Sequence, residues 1–458
     1  MKILIAGCGK VGLTLAQRLS AENHDVTIVD TRDAALQRAS DTLDVMCVKG
    51  SATSAPVLRQ AQADRSDVVI AATGFDEINM LCCHMSRRLG AKYTVARVRN
   101  AEYFAEMESL KTELGINLVI NPEHAAAVEI ARLIRLPSAA NIDTFRRGEV
   151  ELVGFLTQED DFLNGQSLSQ LAGELRPLSI LVCAVERGEE FFIPGGNFVI
   201  RQGDKVYVLG EPAGISQFFR RLGRGTQKIR SVFIVGGGRI AYYLIRQLKG
   251  FGLKAKLVER SEERCLQLAD QFPQTLVICG DGTDPELLSA EHLSGSDAFV
   301  ALTDRDEENI IISLYAMQSG VSKVVAKSNR EDYFGIARSA GLASLVSPKL
   351  TTANLILRTV RGMQNKKGSV MTALHRIAGG HAEAAEFLVK KSTRHLGVPL
   401  KDLKLKKGVL AAMIYRKGRI IIPEGSTAIE EGDSIIIVSS NAGIMDVNDI
   451  YDESFGGA

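Results

Sequence analysis

The chain has 458 residues, room for two to four domains, with 45% hydrophobic and 24% charged residues. That balance excludes general disorder, which needs low hydrophobicity and high net charge. With 55 basic against 54 acidic side chains the net charge is +1, which excludes bulk electrostatic binding to nucleic acid or acidic membrane.

The first apolar run, residues 2–6, breaks into glycines too early to be the core of a signal peptide. Further Val/Ile-rich runs follow at 25–29, 44–48, 68–72, 93–98 and 118–120, with helical stretches between them. Short strands alternating with helices predict a parallel sheet covered on both faces. Asn121-Pro122 opens a helix over 123–136, which Pro137 ends. The rhythm then changes. Short β runs at 149–158, 179–186, 190–193 and 205–210, one helix near 167–174 and Gly-rich turns predict a small α+β domain. The basic, Gly-containing stretch 220–230 reads as a linker. No run of 18 apolar residues occurs, so no membrane span is expected.

The same order then repeats. Gly7 and Gly236 stand 229 apart, as do Asp30 and Glu259, while Thr73 and Thr303 stand 230 apart. Asp76, Glu77 and Asn79 return as Asp306, Glu307 and Asn309, and IPGGNFVIRQGD returns as IPEGSTAIEEGD. A near-constant offset across these landmarks identifies a tandem duplication. The second copy carries a helix over 349–361 after Ser347-Pro348, a polar connector over 362–381, and β runs at 385–391, 409–416, 419–422 and 434–439. The predicted fold class is α/β: two Rossmann-like doubly wound parallel-sheet domains, each followed by a small α+β domain. The expected domains are 1–136, 145–222, 230–361 and 378–450.

The glycine loops carry the chemistry. Gly7-Cys8-Gly9-Lys10-Val11-Gly12 follows a strand and opens a helix, and Asp30 ends the next strand. With that context the G-x-G-x-x-G pattern is a dinucleotide fingerprint. Gly7 makes the turn, Gly9 admits a pyrophosphate, and Gly12 lets the helix pack on the sheet. The helix N-terminus supplies positive potential. Asp30 is expected to hold the adenosine ribose and to disfavour a 2′-phosphate, so NAD is preferred to NADP. Copy two offers Gly236, Gly237, Gly238, Arg239 and Ile240, with Ala241 in the third glycine's place and Glu259 as its acid. Lys10 and Arg239 stand where a cation meets phosphate. Strand ends at the switch point complete each pocket: Ser51, Thr73, Gly74 and Arg97 in copy one, Asp281, Thr303 and Lys327 in copy two.

Seven cysteines without a C-x-x-C pair read as reduced thiols. The seven histidines do not repeat at the 229 offset, and no tyrosine precedes a lysine by four positions. An NAD-dependent dehydrogenase, the competing reading, would need such proton-transfer groups. A redox sensor acting on a transcriptional partner would need a basic DNA-binding element, which the near-zero charge disfavours.

These landmarks, the duplicated glycine loops with Asp30 and Glu259, D-V-V-I-A-A-T, and the twice-used I-P-x-G…G-D, resemble the RCK/KTN family of regulators of potassium channels and transporters. The resemblance covers essentially the whole chain. It implies a non-enzymatic subunit with no catalytic residue and no metal. It further implies NAD or NADH as ligand, with ATP or ADP as further ligands. The implied pocket is Gly7 to Val11, Asp30, Ser51, Thr73, Gly74 and Arg97, and its copy-two counterpart. The implied partner is a potassium-translocating membrane protein of the TrkH/TrkG kind. Four chains would form an eight-unit ring on the inner face of the bacterial plasma membrane. Ser51 stands where the family often has an acid, and Lys327 lacks the forked donors of Arg97, so the two sites are not expected to choose ligands identically.

Overall fold

The Ile- and Leu-rich run Lys2–Ala6 forms β1, four of its five residues buried. The structure, a computed structural model, describes residues 1–136, 139–188, 190–224, 229–364, 369–377, 381–440 and 443–452. They fall into two units: Met1–Ala127 with Ser347–Val360, and Val128–Val346 with Arg361–Ala458.

In the first unit β1 is followed by α1 (Lys10–Ala21), β2 (Asp25–Asp30), α2 (Asp33–Thr42), β3 (Met46–Lys49), α3 (Ala55–Gln60), β4 (Val68–Ala71), α4 (Asp76–Leu89), β5 (Thr94–Arg97), α5 (Ala101–Leu110) and β6 (Leu118–Ile120). The strands pair in parallel in the order β3-β2-β1-β4-β5-β6. All four residues of β4 are buried, because helices cover both faces of the sheet. The strand order reverses between β1 and β4, so a crevice opens beyond their carboxyl ends. α6 (Pro122–Arg135) leaves β6, and this unit holds it as far as Ala127.

The second unit takes the rest of α6 and continues with β7 (Asn141–Phe145), β8 (Val150–Leu156), α7 (Leu168–Leu175), β9 (Ile180–Arg187), β10 (Glu190–Phe192), β11 (Lys205–Gly210) and α8 (Pro212–Arg221). These strands form an antiparallel sheet, β10-β9-β11-β8-β7. A second doubly wound domain follows: β12 (Ser231–Val235), α9 (Arg239–Gly250), β13 (Lys254–Glu259), α10 (Glu262–Gln271), β14 (Leu276–Cys279), α11 (Pro285–Ala290), β15 (Ala298–Ala301), α12 (Asp306–Gln318), β16 (Lys323–Lys327), α13 (Asp332–Ser339) and β17 (Ser344–Val346). Its order, β14-β13-β12-β15-β16-β17, repeats the first. α14 (Pro348–Gln364) lies with the first unit up to Val360, where the Arg18 guanidinium donates to Asn354 Oδ1 at 3.2 Å. The chain closes with β18 (Val370–Ile377), β19 (Ala382–Leu388), β20 (Val409–Arg416), β21 (Arg419–Ile421) and β22 (Ser434–Ser439), paired β18-β19-β22-β20-β21.

The fold is therefore the expected tandem α/β architecture. Three elements differ from the sequence reading. β18 lies in the stretch expected to be a polar connector. It is an edge strand, and a register shift between Met371 and Ala373 breaks the alternation that marks a strand. Its buried Met371, Ala373, Leu374 and Ile377 nonetheless face cores. β7 begins ahead of residue 145, also at a sheet edge. α8 runs into the stretch read as a linker, with Ile215, Phe218 and Phe219 buried. Linker residues 225–228 and connector residues 365–368 and 378–380 lie outside the described residues.

The two small sheets share one core, which includes Phe145, Tyr207, Ala384, Met413 and Ile436. Beside it Arg361, fully buried, donates to both carboxylate oxygens of Glu383, at 2.7 and 3.0 Å. Among the described residues no helix is long and apolar enough to cross a membrane.

Candidate nucleotide sites

Both glycine loops sit at the switch points of their sheets. Gly7 has φ +105°, and a Cβ there would lie 2.9 Å from the Ala72 backbone, so only glycine turns the chain here. A Cβ on Gly12 would lie 1.8 Å from the Gly7 carbonyl oxygen, which makes the third glycine a packing requirement. Around Gly9 no atom lies within 4 Å of that point, so a ligand can approach the backbone. Gly236 (φ +98°) and Gly238 repeat the first and second roles, and Ala241 is fully buried. Gly9 and Gly238 cap α1 and α9 without any side-chain cap, and neither helix has an acid in its first turn. The leading amides of both helices thus present the positive end of a dipole to the crevice. Lys10 and Arg239, the first residues of these helices, are exposed beside them.

The acids close the loops from behind. Asp30 is buried, and its Oδ2 accepts from the Cys8 amide at 2.7 Å. Arg32 donates to the same carboxylate from its own amide and from Nε and Nη2 of its guanidinium, at 2.9, 3.0 and 3.1 Å. Burial pushes the Asp30 carboxyl up, but the hydrogen bonds from Arg32 and Cys8 outweigh it and hold it below its ordinary value. In copy two Glu259 accepts from the Gly237 amide at 2.6 Å and the Ser261 amide at 2.8 Å. Glutamate is one methylene longer than Asp30, and the loop compensates. A Cβ on Gly237 would meet Leu268 at 2.7 Å and Glu259 at 3.0 Å, so glycine replaces Cys8. The sequence shows both substitutions but not that one accommodates the other.

The remaining expected residues divide. Thr73 and Arg97 come together at the ends of β4 and β5. The Arg97 guanidinium donates to the Thr73 carbonyl at 2.5 Å. Asn79, fully buried on α4, accepts from the Thr73 amide and hydroxyl at 2.8 and 2.7 Å and donates to the Arg97 carbonyl at 2.9 Å. Asn309 does the same for Thr303 and Lys327, at 2.8, 2.8 and 3.0 Å. These asparagines shape the crevice and were legible only as part of the repeat, not as organisers of it. Gly74 is exposed and open beside Thr73. Lys327 lies 3.7 Å from Asp304, a carboxylate that copy one lacks at Gly74.

Ser51 and Asp281 share a local task. The Ser51 hydroxyl lies 2.8 Å from that of Thr53, and Asp281 accepts from the Thr283 amide and hydroxyl at 2.9 and 2.7 Å. Those bonds lower the Asp281 carboxyl below its ordinary value. Both residues are exposed ahead of α3 and α11, each closing a turn. A cavity of about 940 Å³ opens at the opposite end of the second sheet, among Lys249, Lys254, Lys256, Phe272 and Leu276. It includes none of the residues above.

The family model of the TrkA-N domain matches residues 3–122 and 232–348, and that of the TrkA-C domain matches 152–223 and 384–451. The chain is 32% identical to the Trk system potassium uptake protein TrkA of Haemophilus influenzae, over 99% of each chain. It is 33% identical to TrkA homolog 1 of Methanosarcina mazei, over 98% of this chain and all of that one. Among solved structures it resembles the GsuK RCK domain, with TM-score 0.64 and 18% identity over 96% of this chain and 92% of that one. The GsuK channel bound to NAD matches with TM-score 0.63 and 18% identity, over 96% of this chain and 76% of that one.

Proposed function

Because the chain belongs to the TrkA family, with a TrkA-N and a TrkA-C domain in each of its two copies, we propose that it is a nucleotide-binding regulatory subunit of a Trk-type potassium uptake system. The observation that carries this reading is the pair of uncapped glycine loops, each backed by a carboxylate bonded to the loop amide. The ligands are NAD or NADH, with ATP or ADP as alternative occupants, since all share the adenosine ribose and a phosphate chain. Gly7 to Val11 and Gly236 to Ile240 cradle the phosphates. Asp30 and Glu259 face the ribose, and Arg97 and Lys327 stand at the far strand ends.

The subunit acts on a potassium-translocating membrane protein of the TrkH/TrkG kind, from the cytoplasmic face. Four chains supply eight nucleotide domains to a closed ring. Leu81 and Ile311, 46% and 65% exposed at equivalent places on α4 and α12, suit the repeated contact of such a ring. A nucleotide moves the pore only by binding one ring state more tightly than the other, a coupling typically worth about 1–3 kcal/mol.

The dehydrogenase reading differs in one measurable consequence. Incubated with NADH and keto acids or oxidants, the protein should bind the nucleotide and leave it unconsumed. Sustained substrate-dependent oxidation would replace the regulator with an enzyme.

A further inference from the structure

The two acids that face the ribose differ in what they have left to offer. A carboxylate accepts about four hydrogen bonds. Asp30 already has four: Oδ1 takes the Arg32 amide and Nε, and Oδ2 takes the Cys8 amide and Arg32 Nη2. Glu259 takes one amide on each oxygen, from Gly237 and Ser261, and Ser261 stands where copy one has Arg32. Glu259 therefore keeps two acceptor positions, the number that the 2′- and 3′-hydroxyls of an unmodified ribose require. At Asp30 the same hydroxyls must first displace a forked guanidinium.

Arg32 also points to what fits instead. Its side chain is 61% exposed, and two of its five N–H groups are spent on Asp30, leaving three for a ligand at the ribose edge. The surrounding charges favour an anion there. Asp33 is paired with Lys49 at 2.5 Å, and Arg38 follows five residues later on α2. Around this rim Arg32, Arg38 and Lys49 outnumber Asp30 and Asp33. The equivalent stretch of copy two sets Arg260 and Arg264 against Glu259, Glu262 and Glu263, with Gln267 and Cys279 in place of Arg38 and Lys49.

We propose that the first site takes a dinucleotide phosphorylated on its adenosine ribose, an NADP-type ligand, with Arg32 setting that specificity, while the second site takes the unphosphorylated form. The inference rests on the nucleotide-binding reading above and refines it for one site. It also revises the expectation that the Asp30 charge repels a 2′-phosphate, because Arg32 offsets that charge and presents a planar fork to the phosphate oxygens.

Calorimetric titration of the full-length protein tests it. NADPH and NADH should fill different sites, one of each per chain. Arg32→Ser, which copies Ser261, should weaken NADPH binding at least tenfold and leave NADH binding at the second site unchanged. Arg32→Lys, which keeps the charge without the fork, should fall between. An NADPH affinity unmoved by Arg32→Ser, or NADH displacing NADPH from every site, would overturn the inference while leaving the proposed function standing. A chain that binds neither NADPH nor NADH would overturn the inference, and one that also ignores ATP and ADP would end the proposed function with it.

Discussion

At the scale of single residues, the loop and its acid behave as one unit in each copy. Cys8 fits above the shorter Asp30, and Gly237 makes room for the longer Glu259. Exchanging one member alone should hurt. Gly237→Cys forces its side chain into Leu268 and Glu259 and should cost about 1–3 kcal/mol, the usual range for overpacking. Adding Glu259→Asp should recover part of that loss, measured by denaturant unfolding. Strictly additive effects of the two changes would show that they are independent.

Lys323 tests the electrostatics of the second unit. Its ammonium is buried against the Ala139 carbonyl at 2.5 Å and the Ser344 hydroxyl at 2.9 Å, and burial lowers its pKa to about 7. The unfolded chain, with an ordinary lysine near 10.5, binds more protons between those values. Stability should therefore rise with pH from about 7 towards 10 and gain nothing from this group below 7. Lys205, lowered to about 8 by burial, adds a slope of the same sign. Lys323→Met should flatten the rise in melting temperature between pH 7.5 and 9.5 relative to the parent. An unchanged slope would mean that burial does not penalise the Lys323 charge.

At the scale of elements, the crossover helices α6 and α14 are the candidates for carrying a nucleotide signal. The boundary between units cuts each of them, at Ala127 and at Val360. A contiguous set of bonds leads from the first crevice to α6. Thr73 bonds to Asn79 on α4, Asp76 at the start of α4 accepts from the Arg99 amide at 2.8 Å, and the Arg99 guanidinium grips Glu123 at 2.7 Å. Hydrogen exchange supplies the test: NADPH should alter protection in α6 and NADH in α14, and Glu123→Ala should abolish the change in α6 while sparing that in α14. Exchange indifferent to nucleotide in both helices would show that neither carries the signal.

At the scale of the whole molecule, the 229-residue offset made most of the architecture legible. Strand runs buried on both faces, glycine loops and the acid 23 residues after each first glycine all carry local signals that one chain displays twice. What stayed hidden depends on partners distant in sequence. β7 and β18 are edge strands whose apolar residues gain meaning only from the shared core of the small sheets. Asn79 looks like any polar helix residue until it is seen bridging two strand ends. Arg32 reads as a surface charge until its bonds exhaust the Asp30 carboxylate.

On the proposed function, nucleotide occupancy of these two sites sets potassium flux through a membrane partner. The direct measurement is potassium flux into vesicles containing a TrkH-type protein, with this subunit added and NADH, NAD, ATP and ADP titrated in turn. Flux should depend on the subunit and shift with nucleotide. The shift should be lost when Asp30→Ala and Glu259→Ala are combined. Flux that ignores the nucleotides in the parent protein, or that responds fully in the double variant, would contradict it.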